Sequence, residues 1–172
     1  MHTVTPLSPE DFRCSLADLA HLLAEVVAEG SSLGFRTPFD RHAAEAWWRT
    51  RQPAVDDGSL SVWVARGAEG IAGTVSLALE GTPNGRHRGE VLKLMVDRGT
   101  RGQGLARKLL ATAEEAAVRA GATLLLLDTE TGSTADRLYA AAGWTRYGIV
   151  PDYAADPAGV LRDCSFFYKQ LR

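Results

Sequence analysis

The segment Val91–Leu110, VLKLMVDRGTRGQGLARKLL, carries the clearest chemistry in the chain. An apolar stretch runs into a basic, glycine-rich turn, and the turn runs into a helical pattern. Gly99, Gly102 and Gly104 omit side chains where a ligand would have to approach the backbone. The first amides of a helix lack intrahelical acceptors and carry the positive end of its dipole. A phosphate suits such a place. Arg98, Arg101 and Arg107 would add charge-assisted donors. A Walker loop requires GxxxxGK[ST], and no such string exists here. The dinucleotide fingerprint GxGxxG or GxGxxA fails as well, because Arg107 stands at its last position after Gly102-Gln103-Gly104. The spacing that fits is Arg101-x-x-Gly104-x-Ala106. The plainer alternative is a tight strand-to-helix turn with no ligand. Three arginines at a helix start favour the phosphate site.

The elements that must position this turn can be read on either side of it. A first helix is expected from Ser8 as cap, with Pro9 and Asp11 in its opening turn and Phe12, Leu16, Leu19, Leu23 and Val26 at helical spacing. Gly30 is its stop, and Ser31–Phe35 is a loop. A second helix starts at Thr37 and Pro38, carries Trp47 and Trp48 near its end, and must finish before Pro53. Strands follow at Leu60–Ala65 and Ile71–Leu79. Asn84-Gly85 lies in the connection to a strand at Glu90–Val96, which makes an antiparallel hairpin. After the basic turn comes a helix over Leu105–Ala120, closed by Gly121. Leu124–Asp128 is a short apolar strand. Ser133 caps a helix ending at Ala142, and Trp144–Val150 and Ser165–Leu171 close the chain as strands. The order α-α-β-β-β-α-β-α-β-β has a βαβ crossover in its middle. It describes an α/β (α+β) chain with one mixed central sheet.

The turn pattern after a strand resembles the pyrophosphate loop of the GNAT superfamily of acyl-CoA-dependent N-acyltransferases. A second string, Leu138-Tyr139-Ala140-Ala141-Ala142-Gly143-Trp144, is similar to the LYxxxG[FW] element of those enzymes. One helix and one strand separate the two motifs, as in the family, and the element order matches from Ser8 onward. The resemblance implies a GNAT fold: a mixed sheet splayed at the cofactor strand and flanked by helices, as a single N-acetyltransferase domain over residues 1–172. It also implies acetyl-CoA as cosubstrate and no metal. Within the superfamily, GSSLGF (Gly30–Phe35), PNG (Pro83–Gly85), EVLKLMV (Glu90–Val96), LDTETGS (Leu127–Ser133) and the tail after Trp144 are similar to the tabtoxin-resistance acetyltransferases. These acetylate a toxic β-lactam amino acid.

The resemblance implies a role for particular residues. The amides of Arg101, Gly102, Gln103, Gly104, Leu105 and Ala106 would hold the CoA pyrophosphate, with Arg107 assisting. The backbone of Leu94, Met95 and Val96 would pair with pantetheine, and an amide at the splay would face the developing oxyanion. Tyr139 would lie near the thioester sulfur and act as acid; its alternative is a packed aromatic. Asp128, at the end of an apolar strand, would take a proton from the acceptor ammonium, whose pKa is roughly 10. Its alternative is a hydrogen bond to the following turn. Glu90 is the second candidate base. Many family members carry Asn before the LY element, and here Ser133 stands in that region, as a pantetheine contact or simply a helix cap. Ser31, Ser32 and Phe35 would line the acceptor pocket, whereas Trp47 and Trp48 read as core or dimer surface. The transfer would be direct attack in a ternary complex on a primary amine of a small molecule, with a resistance role for a toxin-like or antibiotic-like acceptor. The competing readings are a protein lysine or N-terminal acetyltransferase and a non-catalytic acyl-CoA sensor.

Composition bounds what else the chain does. Its 172 residues carry 19 Lys+Arg against 21 Asp+Glu, a net charge of -2. That balance gives no electrostatic case for nucleic acid. The four histidines are dispersed without zinc-motif spacing. Cys14 and Cys164 form no CxxC motif and read as buried thiols of a reducing compartment. Met1–Asp11 has no apolar core of a signal peptide, and the longest aliphatic run, Leu124–Leu127, is too short for a bilayer. The expectation is a cytoplasmic enzyme with a small-molecule amine acceptor, no nucleic-acid or membrane partner, and a homodimeric state taken from the family.

Overall fold

A computed structural model describes residues 2–171. The 1–172 extent given above therefore reaches one residue beyond it at each end. In chain order the elements are β1 (Thr3–Pro6), α1 (Pro9–Cys14), α2 (Leu16–Ala28), α3 (Arg41–Arg49), α4 (Gln52–Asp56), β2 (Leu60–Gly67), β3 (Gly70–Leu79), β4 (Arg88–Val96), α5 (Leu105–Arg119), β5 (Leu124–Glu130), α6 (Thr134–Ala141), β6 (Thr145–Ala155) and β7 (Leu161–Gln170). The strands form one sheet in the order β1-β2-β3-β4-β5-β7-β6. Every neighbouring pair is antiparallel except β4 with β5. That parallel pair needs a crossover, and α5 supplies it.

Helices cover both faces of the sheet. On one face α5 and α6 pack Leu105, Leu109, Leu110 and Tyr139 onto Val75, Leu77, Leu125 and Phe167. On the other, α1–α4 pack Phe12, Leu19, Leu23 and Trp48 onto Val62 and Val64. The alternation in each strand sends successive side chains to opposite cores. On β5, Leu125 and Leu127 face the α5–α6 side, so Leu126 and Asp128 point to the other.

The structure departs from the sequence reading at several points. The first helix is two. Ser8 and Asp11 do form a reciprocal capping box, but the chain bends at Ser15. That residue is buried, and its hydroxyl accepts a hydrogen bond from Arg66 Nη2 at 2.9 Å. Apolar spacing runs on through the bend, so periodicity alone does not show it. The next helix starts at Arg41, capped by Asp40, rather than at Thr37. That helix does finish before Pro53, at Arg49, but Pro53 then opens a further helix, α4, in the first turn where a missing amide costs nothing. β1, four largely exposed residues, was not read as a strand. β5 runs two residues and β6 five residues past the expected ends, and β7 begins four residues earlier than expected. Cys164 is buried, but Cys14 is exposed, because it ends α1 on the solvent side of the bend.

Candidate active site

The site begins where β4 and β5 part. Their parallel pairing covers only Arg88–Glu90 against Leu124–Leu126. Beyond Glu90 the two strands separate, as a splayed sheet requires. β4 is itself distorted there: against β3 the register slips between Met95 and Leu92, and Lys93 takes φ +51. One extra residue on β4 forms a bulge and turns the following backbone toward the gap.

The glycine-rich turn lies at one end of this gap. Asp97 caps a short 3-10 turn over Arg98–Thr100, accepting from the Gly99 amide at 2.9 Å. Gly102 and Gly104 then take φ +78 and +77, a left-handed conformation that any other residue adopts at a cost. Gly104 is the N-cap of α5 and provides no side-chain cap. Among the described residues, the amides of Gly102 through Arg107 have no protein acceptor. They converge as free donors at the positive end of a 15-residue helix. The Arg101 side chain is occupied elsewhere: it donates to Val96 O at 3.1 Å and pairs with Glu29 at 2.5 Å. Arg107 is exposed and in no ion pair among the described residues.

A cleft of about 740 Å³ runs from this turn through the gap between the strands. Ser31, Ser32, Leu94, Met95, Val96, Arg101, Gly102, Gly104, Leu105, Ala106, Arg107 and Ser133 all line it. Gln103 and Phe35 do not, nor do Glu90, Asp128 and Tyr139, although Thr129 and Leu138 beside the last two do. Ser133 has the role of helix cap, accepting from Asp136 N at 3.1 Å. Its position on the cleft wall leaves room for a ligand contact as well.

The titratable residues gather around the far end of the gap, on both faces of the sheet. Asp128 lies on the α1–α4 face. Its Oδ2 accepts a hydrogen bond from the Cys164 thiol at 3.3 Å. Burial, this hydrogen bond and the Asp128 charge push the thiol up to about 12. Glu90 is held above the ordinary carboxylate range, first by partial desolvation and then by Asp128, against a smaller pull from Lys93. Tyr139 lies on the opposite face, packed among Trp144 and Phe167 with centroids 6.0 and 5.9 Å away. Its phenol is held well above its usual value, mainly by burial and further by Asp128. The carboxylates and the phenol thus reach the gap from opposite sides.

Lys93 belongs to this group and was not singled out in the sequence. The bulge turns it to the α1–α4 face. Its Nζ donates to Leu33 O at 2.9 Å and lies over the rings of Phe35 and Trp47, 5.4 and 5.1 Å from their centroids. Phe35, expected in the acceptor wall, thus forms the floor beneath Lys93. Trp47 shares that floor, and Trp48 is core. The available signal was a lysine inside the apolar string EVLKLMV, in a chain with only three lysines. Cys164 gave no comparable signal, because its contact with Asp128 crosses two strands. Among the described residues no cluster of three or more histidine, cysteine or acidic side chains could hold a metal ion. No helix there is long and apolar enough to cross a membrane.

The arrangement suits transfer of a group carried on a phosphorylated ligand. Free amides could take phosphates, the strand gap could take an extended arm, and the carboxylates of Glu90 and Asp128 stand on the strands that border the gap. The family model for the acetyltransferase (GNAT) family matches residues 24–144, which include β4, the basic turn, α5, β5 and α6. Solved structures share the whole fold. The Salmonella typhimurium protein YncA, solved with its cofactor acetyl-CoA, superposes at a TM-score of 0.77 with 22% identity, covering 100% of this chain and 95% of that one. The ribosomal-protein-alanine N-acetyltransferase of Brucella melitensis gives 0.78 with 23% identity, covering 98% and 99%. The GNAT-family acetyltransferase of Streptococcus pneumoniae gives 0.76 with 22% identity, covering 99% and 100%. At these identities the structural likeness concerns the fold, and the family match concerns well over half of the sequence. The chain belongs to the GNAT acetyltransferase family and is an acyltransferase whose cosubstrate is acetyl-CoA.

Proposed function

We propose that the protein acetylates a primary amine of a small molecule, by direct attack within a ternary complex. The observation that carries the choice of a small acceptor is a bridge between two loops next to the cleft. The amide and hydroxyl of Thr37, in the loop between α2 and α3, both donate to Pro157 O in the β6–β7 turn, at 3.0 and 2.9 Å. Two segments 120 residues apart are thereby tied together, one of them continuous with the cleft-lining Ser31–Leu33. An acceptor side bordered by bridged loops admits a small amine more readily than a folded protein surface. The finer form of this reading, a toxin-like amino acid and a resistance role, rests on the strings shared with the tabtoxin-resistance enzymes.

The residues present fit acetyl-CoA. The free amides of Gly102–Arg107 and the Arg107 guanidinium would hold its pyrophosphate. The β4 backbone at Leu94–Val96 would border its pantetheine arm. Bound there, acetyl-CoA supplies an activated thioester. Asp128 takes the proton that the acceptor ammonium must lose before its nitrogen can form the new C–N bond. Glu90, whose proton affinity is raised by partial desolvation and by Asp128, is the second base. Tyr139 directs its hydroxyl to the sulfur as the C–S bond breaks. Its proton affinity lies far above that of a thiolate, near 8.5. The phenol therefore stabilises the leaving sulfur by a hydrogen bond and remains a phenol. Holding the two reactants together can itself lower the barrier by roughly 7–11 kcal/mol in favourable cases.

The test is thiol release from acetyl-CoA by the purified protein across amines: amino acids including tabtoxinine-β-lactam, polyamines, aminoglycosides and lysine or N-terminal peptides. Turnover with a small amine, lost in Asp128→Asn, is the expected result. Turnover confined to peptides would sink the small-acceptor reading, and acetyl-CoA binding without release would favour a sensor.

A further inference from the structure

We infer that Lys93, assisted by Arg51, recognises a carboxylate on the acceptor, so that the pocket selects amines of the amino-acid type. This inference rests on the transfer reading for the position of the reacting amine, and it assigns a specificity role to two residues outside that reading. The argument begins at the bulge. Lys93 lies in the middle of a central strand, where an alternating pattern would send its side chain to the α5–α6 core. The slip in the β4 register and the positive φ at Lys93 put its ammonium on the acceptor face instead.

There Lys93 spends one donor on Leu33 O, and two remain. The Arg51 guanidinium lies over the Trp47 ring at 5.2 Å, and the Lys93 ammonium lies over the same ring at 5.1 Å. Burial depresses the proton affinity of Lys93, Asp128 opposes it, Arg51 depresses it further and Glu90 opposes again. Arg51 uses its Nε on Thr50 and nothing else. Among the described residues, none of Lys93, Arg51, Glu90 and Asp128 is in an ion pair. Two cations and two carboxylates thus stand on the same face of the sheet, beside the cleft, without neutralising each other by contact. The cations cluster about the indole, and the carboxylates stand on the strands at the gap.

A zwitterion matches this division. Its ammonium fits the Asp128 and Glu90 end, beside the gap through which the thioester would reach. Its carboxylate fits the indole end, where it relieves the crowding of two like charges. Leu33 and Leu94, the hydrogen-bond partner and the chain neighbour of Lys93, both line the cleft, so the Lys93 ammonium stands beside it. A neutral or purely cationic amine would leave Lys93 and Arg51 uncompensated.

The experiment pairs each α-amino acid of the acceptor panel with its carboxamide and compares wild type, Lys93→Met, Lys93→Arg and Arg51→Gln. Calorimetric binding of the same amino acids to the CoA-loaded protein runs beside thiol release. The expected result is a preference for the free carboxylate on the order of tenfold to a hundredfold in kcat/KM, the range of a charge-assisted hydrogen bond. The preference should collapse in Lys93→Met, recover in part in Lys93→Arg and weaken in Arg51→Gln, with KM carrying most of the change. Amides used as well as acids, or a preference that survives Lys93→Met, would overturn the inference and leave the transfer reading intact. Amino-acid binding that needs Lys93 but leads to no thiol release would support the inference and sink the transfer reading. Absence of both binding and release with every amino acid would overturn the inference, and turnover of a polyamine or aminoglycoside would then keep the transfer reading.

Discussion

The thiol of Cys164 on β7 donates its hydrogen to Oδ2 of Asp128 on β5, diagonally across the strand pair, at 3.3 Å. The pair joins a buried sulfur to the carboxylate proposed as base. It also makes the two cysteines unequal. Cys14 is exposed and Cys164 is 5% accessible, with its thiol pushed up to about 12. Against an ordinary thiol near 8.5 that leaves it roughly a thousandfold poorer in thiolate. Alkylation of the native protein followed by mass spectrometry should label Cys14 first and Cys164 only on unfolding. In Asp128→Asn the charge is lost and the Cys164 thiol should move down from about 12. Burial, the largest cause, should still hold it above its ordinary value. Equal native labelling of both cysteines would contradict this contact.

Asp128 and Tyr139 approach the strand gap from opposite faces of the sheet, so their substitutions should fail in different ways. Asp128→Asn should lower kcat/KM by roughly 10²–10⁴-fold, the usual contribution of a positioned base. Acetyl-CoA affinity should hold, since Asp128 does not line the cleft. Tyr139→Phe removes one hydrogen bond to a developing thiolate and should cost on the order of tenfold to a hundredfold. Steady-state kinetics beside direct acetyl-CoA binding would check both. A larger loss in Glu90→Gln than in Asp128→Asn would move the role of base to Glu90.

The parts of this site that were legible in the sequence are the local ones. The basic turn is built by neighbouring residues, so Gly102 and Gly104 announced its left-handed backbone and free amides. Ser8 with Asp11 and Ser133 with Asp136 are likewise caps closed over three residues, and both are present. The parts that were missed depend on partners far along the chain. Lys93 changes face because β3 pairs out of step with β4. Ser15 bends a continuous helical pattern because Arg66, 51 residues later, bonds its hydroxyl. Pro53 was rightly read as the limit of the second helix, but the short helix it opens was missed, because a proline is compatible with a first helical turn. Cys14 was assigned to the core by residue type, and the bend that exposes it was not visible.

Glu90 should make the stability of the protein depend on pH in a direction opposite to an ion-paired carboxylate. Its folded pKa is raised, by desolvation first and by Asp128 second. Folding therefore favours its protonated form. The Glu90 contribution is greatest below the ordinary carboxylate value and declines as pH rises through the raised folded value. Glu90→Gln has no such decline. The Tm of the variant relative to wild type should rise from acid toward neutral pH, and less so in an Asp128→Asn background. Glu90 keeps an exposed side chain, so the gap should be small. Calorimetry across that pH range checks the sign, and a Tm difference that shrank toward neutral pH would refute it.

The basic turn separates a residue that would bind from one that braces. Arg107 is exposed and lines the cleft. Arg107→Ala should weaken acetyl-CoA binding about tenfold, as expected for a charge-assisted contact, and leave Tm unchanged. The loss should shrink as salt rises, because an exposed contact is screened. The Arg101 side chain instead ties the turn to Val96 O and to Glu29 at the end of α2. Arg101→Ala should lower Tm slightly and weaken binding by loosening the turn, and Glu29→Gln should repeat part of that effect. Gly104→Ala tests the amides themselves. An added Cβ would meet nothing within 4 Å, so no clash arises. The left-handed φ of +77 remains, at a cost of roughly 1–2 kcal/mol. If the turn keeps its shape, that cost appears in Tm with binding retained. If it relaxes, the amides rotate off the phosphate and acetyl-CoA binding falls while stability is spared. Measuring both quantities on one variant distinguishes the two, and a Gly104→Ala protein unchanged in both would argue that the turn neither holds the left-handed conformation nor binds through its amides.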